Sequence, residues 1–223
     1  MIDEVIARLS KHAVLPAVII DDAGQAAPLA EAMLEGGLPV AEVTLRTPAS
    51  LDALRRMAAF DEMLIGAGTV LNVQQAEKVA DAGAKFIVSP GMDADLIRWC
   101  QQREILIIPC ACTPAEVMQA LHLGVNCVKF FPAEAFGGLP ALKGLHGPFP
   151  TMRFVPTGGI HLEILPYYLA FRPVMAVGGT WMVKSTWIQE DRFDQIRDAC
   201  ESTVAAVQEA HRKLALASRT KST

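Results

Sequence analysis

The sequence has no apolar run approaching the roughly 18 residues that a membrane-spanning helix needs. It opens Met1-Ile2-Asp3-Glu4-Val5, acidic where a secretory signal would be basic, so a cytoplasmic protein with no membrane association is expected. A strong charge of one sign is also missing. Twenty Lys and Arg against 24 Asp and Glu leave a formal charge of -4, too little basic surface to expect nucleic acid as a partner. Five cysteines are an odd number in a chain too large to need disulfide staples, and they read as reduced thiols. Cys110-Ala111-Cys112 is the single close pair. With no second Cys or His cluster nearby, it reads as small apolar filler rather than a metal site. His12, His122, His146, His161 and His211 are scattered and form no ligand motif, so no metal is expected. Linkers rich in Pro, Gly or Ser are absent too. One domain over residues 1–217 is the economical reading, with residues 218–223 as a polar C-terminal tail.

Apolar residues make up 52% of the chain and charged residues 20%, which excludes a disordered polymer and promises a large core. One pattern recurs. A short run rich in Val, Ile and Leu is followed by small or polar turn residues and then by a helical stretch. The runs are Leu15–Ile20, Val40–Arg46, Leu64–Val70, Lys85–Pro90, Ile105–Ala111, Cys127–Ala133, Arg153–Gly159 and Val174–Trp181. Their spacing suits a strand, a loop and a crossover helix, and their continuous apolarity suits parallel strands covered on both faces. Thr113-Pro114-Ala115-Glu116 carries a capping box with Pro at the first helical position, and Asn72 opens a weaker one. Gly83 and Gly124 stand where helices should end. Ile2–His12 predicts an extra N-terminal helix closing the bottom of a barrel, and the last long helix is expected from Arg192 to Leu216. Eight such units in one chain predict an α/β fold, a (β/α)8 TIM barrel of one domain. An open doubly wound sheet is the alternative, but Ile20-Asp21-Asp22-Ala23-Gly24 is no G-x-G-x-x-G turn.

In such a barrel, chemistry belongs at the C-terminal ends of the strands. Alternation in Cys127-Val128-Lys129-Phe130-Phe131 puts Lys129 opposite Val128 and Phe130, hence inside if those two pack under helices. A desolvated lysine favours its neutral amine, a nucleophile toward carbonyls. The competing reading is a lysine that snorkels to the mouth or pairs with a carboxylate. Glu42, Thr44 and Arg46 share one face of their strand. They supply a proton carrier and a carboxylate clamp, or else a structural Glu–Arg pair. Gly158-Gly159 and Gly178-Gly179-Thr180 end the last two strands, where barrels often bind phosphate through backbone N–H groups. His161 lies beside the first of these turns. Thr69, after Gly66-Ala67-Gly68, and Ser89-Pro90-Gly91 are within reach of a substrate, although the glycines and Pro90 read equally well as tight turns.

Taken together, these stretches resemble the 2-keto-3-deoxy-6-phosphogluconate (KDPG) aldolase family, whose members are also described as 4-hydroxy-2-oxoglutarate aldolases. Glu42-Val43-Thr44-Leu45-Arg46-Thr47, Gly66-Ala67-Gly68-Thr69-Val70, Ser89-Pro90-Gly91, Val128-Lys129-Phe130-Phe131-Pro132-Ala133-Glu134, Pro156-Thr157-Gly158-Gly159-Ile160 and Gly178-Gly179-Thr180-Trp181 carry the likeness. The resemblance implies a class I aldolase. It would cleave a phosphorylated keto-deoxy sugar acid to pyruvate and glyceraldehyde 3-phosphate, with 4-hydroxy-2-oxoglutarate as a further substrate. No cofactor is implied beyond a covalent imine on the lysine, and the usual assembly is a homotrimer. It implies Lys129 as the Schiff-base lysine and Glu42 as general acid/base. Arg46 and Thr69 would hold the pyruvate carboxylate, Phe131 would form an aromatic wall, and Gly158, Gly159, Gly179 and Thr180 would surround phosphate. Pro90 and Thr157 complete the expected substrate-binding set. The chain departs from the pattern at Cys110, where the family commonly has glycine, and at Lys184, where it often has proline. Both departures bear on the distal half of the substrate.

Overall fold

A computed structural model describes residues 2–220, with side chains through residue 217. Eight parallel strands follow one another: β1 (Val14–Val18), β2 (Val40–Thr44), β3 (Leu64–Gly68), β4 (Phe86–Val88), β5 (Leu106–Ile108), β6 (Cys127–Phe130), β7 (Arg153–Pro156) and β8 (Val177–Gly179). Six form a continuous sheet in the order β5-β4-β3-β2-β1-β8, and β6 pairs with β7. Single parallel bridges, Cys110 with Lys129 and Thr157 with Gly178, join the two sheets into a closed wall. The (β/α)8 barrel read from the repeating pattern is therefore present, with its thinnest seams on either side of the β6–β7 pair. The strands are shorter than the apolar runs that announced them: the last residues of each run already lie beyond its strand, and β4, β5 and β8 also begin one to three residues late.

Helices α2 (Ala26–Glu35), α3 (Ser50–Met57), α4 (Val73–Asp81), α5 (Ala94–Gln102), α6 (Pro114–His122), α7 (Gly138–His146) and α8 (Leu165–Leu169) make the crossovers. The chain ends in α9 (Ser185–Gln189) and α10 (Phe193–Thr220). The Asn72 side chain caps α4 by accepting from Gln75 N–H at 2.9 Å. At α6 both halves of the expected box are formed. The Thr113 hydroxyl accepts from Glu116 N–H, and the Glu116 carboxylate accepts from Thr113 N–H at 2.9 Å. Gly83 and Gly124 follow the ends of α4 and α6, as expected. The last helix continues to Thr220, so Ser218, Arg219 and Thr220 extend α10, while the rest of the expected tail lies outside the described residues.

Two apolar layers share the strands. Outward residues such as Val43, Ala67, Ile87, Val128 and Phe130 pack under the helices. Inward residues Leu15, Val40, Leu64, Phe86, Leu106, Cys127, Val155 and Met175 fill the barrel floor. The N-terminal helix α1 (Ile2–His12) has the predicted bounds. It presses Val5 and Leu9 into that floor, and Leu9 is fully buried. Burying side chains of this size is worth about 1.5–3 kcal/mol each. The lower half of the barrel is thus plugged with hydrocarbon, and only the upper half has room for polar groups.

Candidate active site

Three buried polar side chains, Glu42, Thr44 and Lys129, stand above the apolar floor. Strand alternation puts them there. Val43 and Val128 turn out to the helices, so their neighbours turn in. Lys129 Nζ donates to Glu42 Oε1 at 3.2 Å, with the two side chains 9% and 2% exposed. The Thr44 hydroxyl donates to the Val18 carbonyl at 2.9 Å and ties β2 to the end of β1. Arg46 lies beyond the end of β2 and is exposed, at the rim rather than inside. Glu42 therefore has Lys129 as its charged partner, and the alternative of a Glu42–Arg46 structural pair does not hold. The Arg46 Nε donates instead to the Thr69 hydroxyl at 3.4 Å.

A small cleft of about 110 Å³ opens onto this pair. It is lined by Glu42, Arg46, Lys129, Phe131, Thr157, Gly158, Gly159, Gly179 and Thr180, all expected from sequence. The Phe131 ring centre is 5.5 Å from Lys129 Nζ, so the amine has an aromatic face as well as a carboxylate beside it. A larger hollow, under α1, is apolar and lies at the opposite end of the barrel from these groups.

A family model described as KDPG and KHG aldolase matches residues 5–199 of the chain. The chain belongs to this aldolase family. It is 45% identical over 170 residues to the 2-dehydro-3-deoxy-phosphogluconate aldolase of Zymomonas mobilis, covering 76% of this chain and 82% of the relative. It is 40% identical over 197 residues to the KHG/KDPG aldolase of Escherichia coli, covering 88% and 92%. Among solved structures, the KDPG aldolase of Legionella pneumophila superposes with a TM-score of 0.86 at 40% identity, over 89% of this chain and 97% of that one. There pyruvate is captured as a covalent carbinolamine.

Several features of this aldolase-family site were invisible from local sequence. Gly66 and Gly68 fell within the expected third run and read equally well as a tight turn; both lie inside β3. A Cβ on Gly68 would stand 2.0 Å from Glu42 Oε1, and one on Gly66 would stand 2.3 Å from the Phe86 ring. The missing side chain of Gly68 is the space that the Glu42 carboxylate occupies. Gly158 follows the same logic with its backbone. It has φ +100°, and a Cβ there would crowd the Phe131 ring. Gly178 leaves room for the Thr157 side chain and Gly179 for the Trp181 ring. Ala17, Ile19 and Ile160 also line the cleft; as apolar residues in apolar runs they carried no signal. Pro90 is exposed after β4 and does not line the cleft, and His161 pairs with Glu163 at 2.6 Å on the surface. Lys184 borders an adjoining groove with Thr180, Ser185 and Thr186, its Nζ 4.4 Å over the Trp187 ring.

Proposed function

We propose that the protein is a class I aldolase that cleaves 2-keto-3-deoxy-6-phosphogluconate to pyruvate and glyceraldehyde 3-phosphate, and that it also accepts 4-hydroxy-2-oxoglutarate. The observation that carries this reading is the 3.2 Å contact between an amine and a carboxylate, buried together at the bottom of an open cleft.

The chemistry follows from that contact. Glu42 takes a proton from Lys129, and the neutral amine attacks the C2 carbonyl. Glu42 then assists loss of water, leaving a protonated imine. The iminium draws electrons from the C3–C4 bond. Glu42 removes the C4 hydroxyl proton, the bond breaks, and the aldehyde leaves. Glu42 returns a proton to the enamine, and water releases pyruvate. One carboxylate serves every step because its protonation state alternates. Arg46, at the rim and bonded to Thr69, anchors the substrate carboxylate and holds C2 over the amine. Gly158, Gly159, Gly179 and Thr180, with Thr157, receive the distal phosphate.

In this reading the imine serves as electron sink, so the enzyme works with neither metal nor organic cofactor. A homotrimer in the cytoplasm belongs to the same reading. The five free thiols support the compartment, and family membership supports the assembly. Light scattering that returns a monomer would remove the trimer.

Trapping tests the chemistry. Borohydride added with pyruvate should leave a reduced pyruvyl group on Lys129, and activity should survive a chelator. Label on Lys85, Lys143 or Lys184 would overturn the lysine assignment. Turnover of a phosphosugar with no imine formed would instead favour an isomerase on the same barrel.

A further inference from the structure

The wall beside Lys129 carries chemistry that aldol cleavage does not use. Cys110 and Cys112 flank Ala111 just beyond β5. Their sulfurs are 3.7 Å apart, and both approach the Phe131 carbonyl oxygen, at 3.7 and 3.1 Å. Cys110 forms the parallel bridge to Lys129. Lys129 N–H donates to the Pro109 carbonyl at 2.8 Å, and Ala111 N–H donates to the Lys129 carbonyl at 2.9 Å. The thiol pair is thus laced to the backbone of the lysine on one side and to that of Phe131, a cleft residue, on the other.

The two sulfurs are unequal. Cys112 is half-buried, and the hydrogen bond from the Cys110 thiol holds it down to about 7. Cys110 is pushed up by giving that hydrogen bond and by burial. Cys100, Cys127 and Cys200 are buried and pushed up to about 12 by desolvation. The half-buried Cys112 and the buried Cys110, with sulfurs 3.7 Å apart, are placed to act as attacking and resolving cysteine.

We propose that Cys110 and Cys112 are a peroxide-sensitive dithiol whose internal disulfide slows imine chemistry at the neighbouring Lys129. The effect on rate rests on the aldolase reading; formation of the bond does not. The Cys112 thiolate attacks one oxygen of hydrogen peroxide. An S–O bond forms, the O–O bond breaks, and the departing hydroxide takes up the proton that Cys112 had released. The Cys110 sulfur then attacks the sulfenic sulfur. The S–S bond forms, the S–O bond breaks, and hydroxide leaves as water with the Cys110 proton. Two thiols lose two electrons, and one peroxide becomes two waters. Closing the bond draws the sulfurs from 3.7 Å to about 2.05 Å and leaves the Phe131 carbonyl without a thiol donor. The aromatic wall and the end of β6 shift with it, beside an amine that must meet a carbonyl within a fraction of an ångström.

The test uses the full chain, reduced and then exposed to equimolar hydrogen peroxide. Free thiols are blocked, the protein is digested without reductant, and the peptides are mapped by mass spectrometry. The expected product joins Cys110 to Cys112, two hydrogens lighter, with Cys100, Cys127 and Cys200 still thiols. The kcat for pyruvate release should fall about tenfold, by misplacement of the reacting groups, and dithiothreitol should restore it. Cys110→Ser and Cys112→Ser should each make the rate indifferent to peroxide, while Cys200→Ser stays sensitive. No link, a link to another cysteine, or a linked enzyme of undiminished kcat would overturn the proposal. The map needs no substrate. A protein that forms the link but never cleaves a keto acid would count against the aldolase reading and for the dithiol.

Discussion

Lys129 Nζ and Glu42 Oε1 meet at 3.2 Å across the barrel, from residues 87 positions apart in the chain. Strands β2 and β6 are not neighbours in the wall, so the contact spans the lumen. It exists only when the barrel is closed. Each group is too deeply buried to remain charged at low cost alone, and each is the other's compensation. Stability and chemistry therefore draw on one pair, and the two can be separated by substitution.

Lys129→Met should abolish turnover and the borohydride label. It should also destabilise the fold by about 3–5 kcal/mol, because Glu42 is left as a buried charge without its partner. Lys129→Met combined with Glu42→Gln should regain much of that stability in urea unfolding while staying inactive. Glu42→Gln alone should lower kcat by about 10²–10⁴. A double variant no more stable than Lys129→Met would show that the pair contributes little to folding.

Gly68→Ala tests the space that Glu42 occupies. The added methyl would sit 2.0 Å from Oε1, so the carboxylate must move away from Lys129. Displacement of a proton carrier by about 1 Å should lower kcat by roughly 100-fold, with about 1–3 kcal/mol lost to overpacking. Ala67→Gly is the control, since its side chain faces the helices. Wild-type kcat in Gly68→Ala would mean that Glu42 has another productive position.

The periodic parts of the molecule were legible in the sequence. Alternation turned Lys129 and Glu42 inward, the Thr113 box marked the start of α6, and the bounds of α1 held to the residue. Relationships between strands were not legible. Gly68 reads equally well as strand or turn until the register sets Thr44 beside it and the Glu42 carboxylate over it. Cys110 and Cys112 read as filler because spacing alone does not say that two sulfurs point together at one carbonyl. Pro90 was expected at the site from its motif, but its side chain is exposed outside the cleft. Alternation set Arg46 on the face of Glu42 and Thr44, but alternation lapses where β2 ends at Thr44, and Arg46 stands at the rim.

Lys184 stands beside the groove that continues the cleft past Thr180. An exposed cation contributes at most about 1 kcal/mol to binding an anion. Lys184→Ala should therefore raise KM for the phosphorylated substrate by about two- to fivefold, leave its kcat alone, and leave KM for 4-hydroxy-2-oxoglutarate unchanged. Raising the salt concentration should shrink the difference between wild type and variant. Equal KM changes on both substrates would mean that the side chain shapes the groove rather than attracts phosphate.

Cys112 gives a pH dependence whose direction is fixed by its neighbour. The thiol hydrogen bond from Cys110 lowers it from the ordinary thiol range to about 7, so its thiolate fraction grows as pH rises through neutrality. Iodoacetamide should label Cys112 with a rate that climbs between about pH 6 and 8 and then levels, in the same range over which a lowered thiol ionises. Cys100, Cys127 and Cys200, pushed up to about 12, should stay unlabelled in the folded enzyme throughout. Cys110→Ala removes the donor, so the midpoint for Cys112 should move up toward that of an ordinary thiol. An unmoved midpoint would place the cause elsewhere, with the backbone around Phe131 as the next group to vary.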